Sequence, residues 1–375
     1  MKKIFIIGNV ASMMINFRKE LIIKLVNDGN EVFCLASDYT DEQKSQIYSF
    51  GAKPLDYLLN AKGVNPFKDI LATLNLINLI KQNKPDILFS FFVKPVIFGS
   101  IAAKLAKVPK IVAMIEGLGN AFTEYKFGLT KKAKVIKFIQ IQLYKVALPL
   151  VDELIFLNND DKKDLIQAYK IKVKSVYILG GIGVDLDKFR YSPAPTNPVV
   201  FIFIARLLAQ KGIFEFLEAA KIIKTKYPQA TFKIFGSLEE NNPFGLSLNE
   251  LDSYIKSGIV EYAGFSHDIT LELQKSSVFV LPSYREGVPR SSQEAASTGR
   301  AIITTNYVGC KETIIDGLSG FLIPRFDSVA LAKKMEFFIQ NPEQIIKMGE
   351  NSRKFAEEKF DIAKINEKLS NIILK

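Results

Sequence analysis

The chain has 375 residues, 48% hydrophobic and 24% charged, and at roughly 150 residues per domain that length suggests two globular domains. Fifty Lys and Arg against 39 Asp and Glu leave a net charge of +11, which admits nucleic acid, an anionic membrane or an anionic small molecule as partner. A single His, His267, and two Cys, Cys34 and Cys310, exclude zinc sites built from clustered Cys and His and leave little for a Ser-His-Asp or Cys-His arrangement.

The chain opens with Met1-Lys2-Lys3 and the apolar run 4–7, which Gly8 and Asn9 end well short of the about 7–15 residues of a secretory core. No stretch approaches the roughly 18–20 apolar residues of a membrane span. The cysteines lack CxxC spacing and fit a reducing cytosol. These features predict a cytoplasmic protein, on or off a membrane surface. Runs 4–7, 31–36, 87–92, 111–115, 153–157 and 175–179 read as buried strands, each separated by room for a crossover helix. That alternation is the pattern of a parallel, doubly wound sheet. Residues 191–198 hold three prolines without hydrophobic periodicity and read as a linker. Strand-like runs resume at 199–204, 231–235, 259–262, 278–281 and 301–304, so the second half reads as another α/β domain. The expected domains are 1–190 and 199–358, with a C-terminal helix of about 360–375 packing back on the first. Charge is unequal: residues 1–190 hold 28 basic and 18 acidic side chains, net +10, and residues 191–375 hold 22 and 21, net +1. The anionic partner therefore belongs to the first domain.

Candidate chemistry concentrates in Leu281-Pro282-Ser283-Tyr284-Arg285-Glu286-Gly287-Val288-Pro289-Arg290-Ser291-Ser292-Gln293-Glu294. It reads as a strand end, a Gly- and Pro-containing loop, and a helix starting near Arg290, whose unpaired amides favour phosphate. Glu286 and Glu294 flank that turn, either gripping the hydroxyls of a sugar or ribose or standing as an ordinary loop Glu and a solvated helical Glu. Arg206 and Lys211 follow the first strand of the second domain. Ligands collect at the carboxyl ends of strands in such sheets, so both pairs converge on one crevice, where two cations neutralise a diphosphate. In the first domain, the turn Gly8-Asn9-Val10-Ala11-Ser12 lacks GxGxxG, and dinucleotide binding is not expected. Met114-Ile115-Glu116-Gly117-Leu118-Gly119-Asn120 is a strand ending in a Gly-rich turn.

Together these motifs resemble the retaining glycosyltransferases of family 4, often called group 1. The resemblance rests on Glu286 and Glu294 with seven residues between them, Phe279-Val280-Leu281-Pro282-Ser283, Glu286-Gly287-Val288-Pro289, Glu294-Ala295-Ala296, Arg206 with Lys211-Gly212, Gly309-Cys310-Lys311-Glu312 and Asp316-Gly317-Leu318-Ser319-Gly320-Phe321. It implies the GT-B fold, two Rossmann-like doubly wound domains facing a cleft. It implies transfer of a hexose or N-acetylhexosamine from a nucleotide sugar, expected to be a UDP-sugar, with retention, no metal and no cofactor. Arg206 and Lys211 would hold the donor diphosphate, and Glu286 the donor sugar's hydroxyls. Gly287, Val288 and Pro289 would shape the sugar pocket, the amides of Arg290 and Ser291 would meet the distal phosphate, and Glu294 would take the ribose. Phe265 and His267 fall in a loop expected near the base, and Gly8 in the loop that faces the donor from the first domain. The Glu116-Gly117-Leu118-Gly119 turn resembles a bacterial subgroup acting on polyprenyl-diphosphate-linked saccharides, with Glu116 positioning a sugar hydroxyl or acting as base. Asp185-Leu186-Asp187 spells a metal-binding DxD but sits where this family passes towards its linker, and it is set aside.

A helical wheel over 131–150 places Val135, Ile136, Ile139, Leu143, Val146 and Ala147 on an expected core face. Lys131, Lys134, Lys137 and Lys145 gather opposite, with Phe138, Ile141 and Leu148 among them. That mixture suits an anionic bilayer, where lysine stems snorkel and Phe inserts, or else a solvated face or partner interface. The reading is a transferase at the cytoplasmic face of the inner membrane, with no nucleic acid partner. The alternatives are a soluble acceptor, or a nucleotide-sugar epimerase of the same two-domain build.

Overall fold

The computed structural model describes every residue except 60–64, 240–241 and 267. The chain forms two units, Met1–Phe122, Thr130–Ile182 and Ala363–Lys375 in the first, Thr123–Leu129 and Gly183–Ile362 in the second.

The first unit runs β1 (Lys3–Ile7), α1 (Ala11–Asn27), β2 (Glu31–Ala36), α2 (Asp41–Ser49), β3 (Lys53–Asp56), α3 (Pro66–Asn83), β4 (Ile87–Phe91), a π-helical turn Pro95–Gly99, α4 (Ser100–Leu105), β5 (Lys110–Ile115), α5 (Lys131–Ala147), β6 (Glu153–Phe156), α6 (Asn159–Lys162) and β7 (Ser175–Ile178). Its sheet has the order β3-β2-β1-β4-β5-β6-β7, and every pairing is parallel. Helices on both faces bury the central strands β1, β4, β5 and β6, so they read as continuous apolar runs; Phe5, Ile7, Leu88 and Phe89 are inaccessible. Helix starts carry their own signals: Thr40 and Gln43 form a capping box on α2, and Asn65 caps α3 ahead of Pro66. β3 escaped the sequence reading because Lys53-Pro54-Leu55-Asp56 is short, polar at both ends and contains Pro, which a sheet tolerates at its edge.

The second unit runs β8 (Val200–Ile204), α7 (Ile213–Lys226), β9 (Thr231–Phe235), α8 (Leu248–Lys256), β10 (Glu261–Tyr262), α9 (Thr270–Gln274), β11 (Val278–Leu281), α10 (Arg290–Ser297), β12 (Ala301–Thr305), β13 (Gly320–Ile323), α11 (Ser328–Gln340) and α12 (Pro342–Lys359). Its parallel sheet has the order β10-β9-β8-β11-β12-β13. In both sheets the order reverses beside the first strand, between β1 and β4 and between β8 and β11. A doubly wound sheet opens a crevice at its carboxyl edge at that switch point.

The first unit ends at Ile182, not at residue 190, and the proline-containing segment belongs to the second unit. Hydrogen bonds hold it there: Gly183 N donates to Gln293 Oε1 at 3.1 Å, Ser192 N donates to Thr298 O at 3.2 Å, and the buried guanidinium of Arg300 donates to the Ser192 carbonyl. The last helix, α13 (Ile362–Leu374), packs on the first unit. Lys110 Nζ donates to its Ile372 carbonyl at 2.9 Å, and Lys24 pairs with its Glu367 at 2.8 Å.

Helix α5 docks by a face that lies between the expected core face and the lysine face: from the first, Ala147 is buried and Ile136 and Leu143 pack against the core, and from the second, Ile141 and Leu148 are buried but Phe138 is exposed. Ile141, Tyr144, Ala147 and Leu148 are buried in the core, while Val135, Ile139 and Val146 are exposed. Ile141 is therefore a core residue, not a membrane or acceptor contact, and Lys137 lays its ammonium 4.5 Å from the centre of the Phe122 ring. Lys131, Lys134 and Phe138 remain exposed. The wheel misplaced the core face because apolar side chains stand on both sides of the helix, and the docked face between them also buries Gln140 and Tyr144, which carry a weaker apolar signal.

Candidate functional site

In the second unit β8 delivers its carboxyl end to Arg206, and a 3₁₀ turn, Ala209–Lys211, follows. Gly212 then starts α7 at φ 78°, and a Cβ there would stand 2.3 Å from the Pro282 carbonyl oxygen after β11. Only glycine lets the two switch-point loops approach this closely. The approach brings Lys211 to the loop after β11, where its Nζ lies 2.5 Å from Glu286 Oε1, both side chains mostly buried. Arg206 is half-exposed and turns to Glu239, 3.7 Å away. The Glu286 loop is fixed from behind: its amide donates to Val308 O, and Gly309, at φ 75°, would place a Cβ 2.1 Å from the Glu286 carbonyl oxygen.

Helix α10 begins at Arg290 after Pro289, whose ring offers its first amides no capping hydrogen bond. Such a start is an anion site. Val288 is buried, and its carbonyl accepts from Gln293 Nε2 at 3.0 Å, which holds the loop Gly287-Val288-Pro289 against the helix. Ser291 lies in the first turn. Arg290 Nε donates to Glu294 Oε1 at 3.0 Å, one turn further on. Burial pushes the Glu294 carboxyl above the usual carboxylate range, and the Arg290 charge offsets part of that push. The neighbouring Cys310 is sealed from solvent and its thiol is pushed up to about 12, which leaves it an inert packing residue.

The other expected residues are spread more widely. Phe265 is exposed in the loop after β10, and His267 lies outside the described residues. The Asp185-Leu186-Asp187 stretch forms a turn in which Asp185 Oδ1 accepts from the amides of Asp187 and Lys188 at 2.9 and 3.0 Å. Its spelling is that of an Asx turn.

In the first unit Gly8 ends β1; its amide donates to Leu35 O and its carbonyl accepts from Tyr57 Oη at 2.7 Å. The start of α1 beyond it is already occupied by an anion, because Asp38 Oδ1 accepts from Ala11 N at 2.7 Å. Glu116 stands at the end of β5, nearly buried, and Arg18 Nη2 donates to its Oε1. The Arg18 guanidinium also lies 4.5 Å from the centre of the Phe91 ring at the end of β4. The sequence reading missed Arg18. The signal was present: Ala11, Met14, Arg18, Leu21, Ile22 and Leu25 form the buried face of α1, so an arginine stands where the helical period calls for an apolar residue. Two carboxylates, Glu116 and Glu286, thus each pair with a cation at the carboxyl edge of their own sheet. Among the described residues no helix is long and apolar enough to cross a membrane.

Residues 185–355 fit the family model described as glycosyl transferases group 1, and residues 3–159 fit glycosyl transferase 4-like. The N,N'-diacetylbacillosaminyl-diphospho-undecaprenol alpha-1,3-N-acetylgalactosaminyltransferase of Campylobacter jejuni is 28% identical over 364 residues, 93% of either chain. The UDP-Gal:alpha-D-GlcNAc-diphosphoundecaprenol alpha-1,3-galactosyltransferase of Escherichia coli is 30% identical over 328 residues, 84% of this chain and 81% of that one. Among solved structures, Anabaena HepE in complex with UDP and glucose superposes with a TM-score of 0.77 at 16% identity, over 99% of either chain.

Proposed function

The chain belongs to the group 1 glycosyltransferases, and from that premise we propose that it moves a hexose or N-acetylhexosamine from a UDP-sugar to a hydroxyl of a polyprenyl-diphosphate-linked saccharide, with retention. The relatives from Campylobacter jejuni and Escherichia coli, named for diphosphoundecaprenol acceptors, support the acceptor class, and the UDP bound to Anabaena HepE supports the donor. The observation that carries the reading is the Lys211–Glu286 pair at the β8/β11 switch point, beside the start of α10.

In this reading the distal phosphate meets the amides of Arg290 and Ser291, and the ribose hydroxyls donate to Glu294. Lys211 and Arg206 neutralise the diphosphate as the bond from the anomeric carbon to the phosphate oxygen breaks, so no metal or other cofactor is required. Glu286, held by Lys211, accepts from the donor sugar's hydroxyls, and Gly287, Val288 and Pro289 bound its ring. The departing phosphate oxygen takes the proton of the attacking acceptor hydroxyl, which bonds to the same face of the anomeric carbon. Glu116, oriented by Arg18, positions the acceptor saccharide. Phe265 edges the base. The exposed Lys131, Lys134 and Phe138 set the enzyme on the anionic cytoplasmic face of the inner membrane, and the basic charge serves lipid and diphosphate, not nucleic acid.

The test is nucleoside diphosphate release from a panel of UDP- and GDP-sugars, with and without a polyprenyl-diphosphate-linked saccharide and with and without a chelator. Release that needs one UDP-sugar and the lipid acceptor, and survives the chelator, is expected. Release that needs only a soluble acceptor, or interconversion of UDP-sugars without release, would replace the reading.

A further inference from the structure

An apolar groove runs between α3 and α5, across the π-helical turn Pro95–Gly99. Val93, Ile97 and Phe98 floor it, Ile136, Ile139 and Leu143 form one wall, and it encloses about 160 Å³. Its polar end is self-neutralised: Lys94 Nζ lies 2.7 Å from Asp69 Oδ1, and both side chains are mostly buried. Gln140 links the groove to the acceptor side of the unit. It lines the groove and donates from Nε2 to the Leu118 carbonyl, two residues beyond Glu116 in the same turn.

The outer faces of both helices carry large apolar side chains into solvent. On α3, Phe67, Ile70, Leu71 and Leu74 follow one another at helical spacing and are each more than half exposed. On α5, Val135, Phe138, Ile139 and Val146 are exposed, and the helix carries five lysines and no acid. A monomer rarely exposes such stripes. A protein partner would favour an interface core depleted of lysine. Lysines interleaved with apolar residues instead match anionic headgroups above hydrocarbon.

We propose that the α3–α5 groove receives the hydrocarbon chain of the lipid-linked acceptor next to its diphosphate, while the outer stripes of the two helices sit in the bilayer boundary. The proposal rests on the lipid-acceptor reading above and adds the element that recognises the lipid. An apolar cavity of about 150 Å³ takes a group the size of benzene, so the groove selects the isoprene next to the diphosphate rather than the length of the chain. The chain leaves the bilayer along the apolar wall of α5, follows that helix, and ends at the turn that holds Glu116.

The test combines a binding probe with kinetics on the full chain. The probe is a polyprenyl diphosphate bearing a diazirine on its first isoprene, presented in phosphatidylcholine vesicles with and without phosphatidylglycerol. Crosslinks are expected on peptides of α3, the turn after β4, and α5. The groove-filling variant Ile139→Trp alters a side chain already exposed at the rim, so folding is not at stake. It is expected to lose those crosslinks and to raise KM for the long-chain acceptor roughly ten-fold relative to KM for the same saccharide diphosphate carrying only a methyl group. That is the cost of about two buried methylenes. Leu71→Ser with Leu74→Ser is expected to lose vesicle binding. Crosslinks that fall elsewhere, or equal KM changes for both acceptors, would overturn the proposal. It would also fall if Ile139→Trp changed nothing while the serine variant still lost vesicle binding, because α3 would then be a bilayer contact alone. Crosslinks in the groove from a chain that turns over neither acceptor would support the groove and remove the transferase reading instead.

Discussion

The Arg18–Glu116 pair yields the most quantitative expectation. The Arg18 side chain is 2% exposed and Glu116 11%, and the guanidinium also covers the Phe91 ring. Replacing Arg18 with Met keeps the volume but strands the carboxylate in a site it reached only with a partner. Breaking a buried pair from one side costs about 3–5 kcal/mol, and the lost cation–π contact adds to it. At about 2–4 °C per kcal/mol for a domain of this size, the melting point of the first unit should fall by on the order of 10 °C. The double variant Arg18→Met with Glu116→Leu removes both charges, and it should recover most of that loss because an apolar pair of similar volume carries no desolvation cost. Urea and thermal unfolding of the wild type, the two single variants and the double variant give the coupling energy. A loss below about 1 kcal/mol in Arg18→Met, or a double variant whose loss equals the sum of the singles, would refute the argument that Arg18 exists to hold Glu116.

Three further outcomes follow from the second unit. Glu294 has a carboxyl raised by burial, so in the folded protein it protonates at a higher pH than an ordinary carboxylate. Between its unfolded and folded pKa values the native state binds the extra proton, so its contribution to stability falls as pH rises through that window and is unfavourable above it. Glu294→Gln should therefore melt no lower than wild type at neutral pH. Its KM for the UDP-sugar should be high and independent of pH, whereas the wild-type KM should climb on acidification; a wild-type profile as flat as the variant's would count against the ribose role. Lys211→Ala removes the cation that faces the Glu286 carboxylate and the departing phosphate; single-turnover rates should drop roughly 100–1000-fold with a smaller change in donor affinity, and unchanged rates would move the diphosphate elsewhere. Gly309→Ala forces a left-handed residue to carry a Cβ against the Glu286 carbonyl, so beyond the about 1–2 kcal/mol of backbone cost the loop must shift. Both a lower melting point and a higher donor KM are expected, and a melting change alone would show that the loop's position is not what the donor reads.

The family-bearing loops were legible because they consist of residues with strict local demands. Gly212 and Gly309 are needed where loops touch at positive φ, and Pro289 stands immediately before a helix. The strand runs were legible because a parallel sheet covered on both faces needs unbroken apolar segments. The edge strands β3 and β13 were not, since edges accept Pro, Lys, Gly and short length, and so look like loops. Arg18 was readable as a break in the apolar period of α1, but its partner was not, because 98 residues separate it from Glu116.

The sequence by itself determined two doubly wound units, the carboxylate and cation types at their strand ends, and the excess of positive charge in the first half. Each of these follows from local periodicity, composition or turn chemistry. Tertiary structure alone decided which carboxylate each cation holds, where the first unit ends, and which stripe of α5 is core. Those depend on contacts between segments distant in the chain, and a helix with two apolar faces carries no local sign of the one that will be buried. The choice leaves Val135, Ile139 and Val146 in solvent beside the exposed stripe of α3. Part of a face that periodicity assigns to the core is thereby left in solvent.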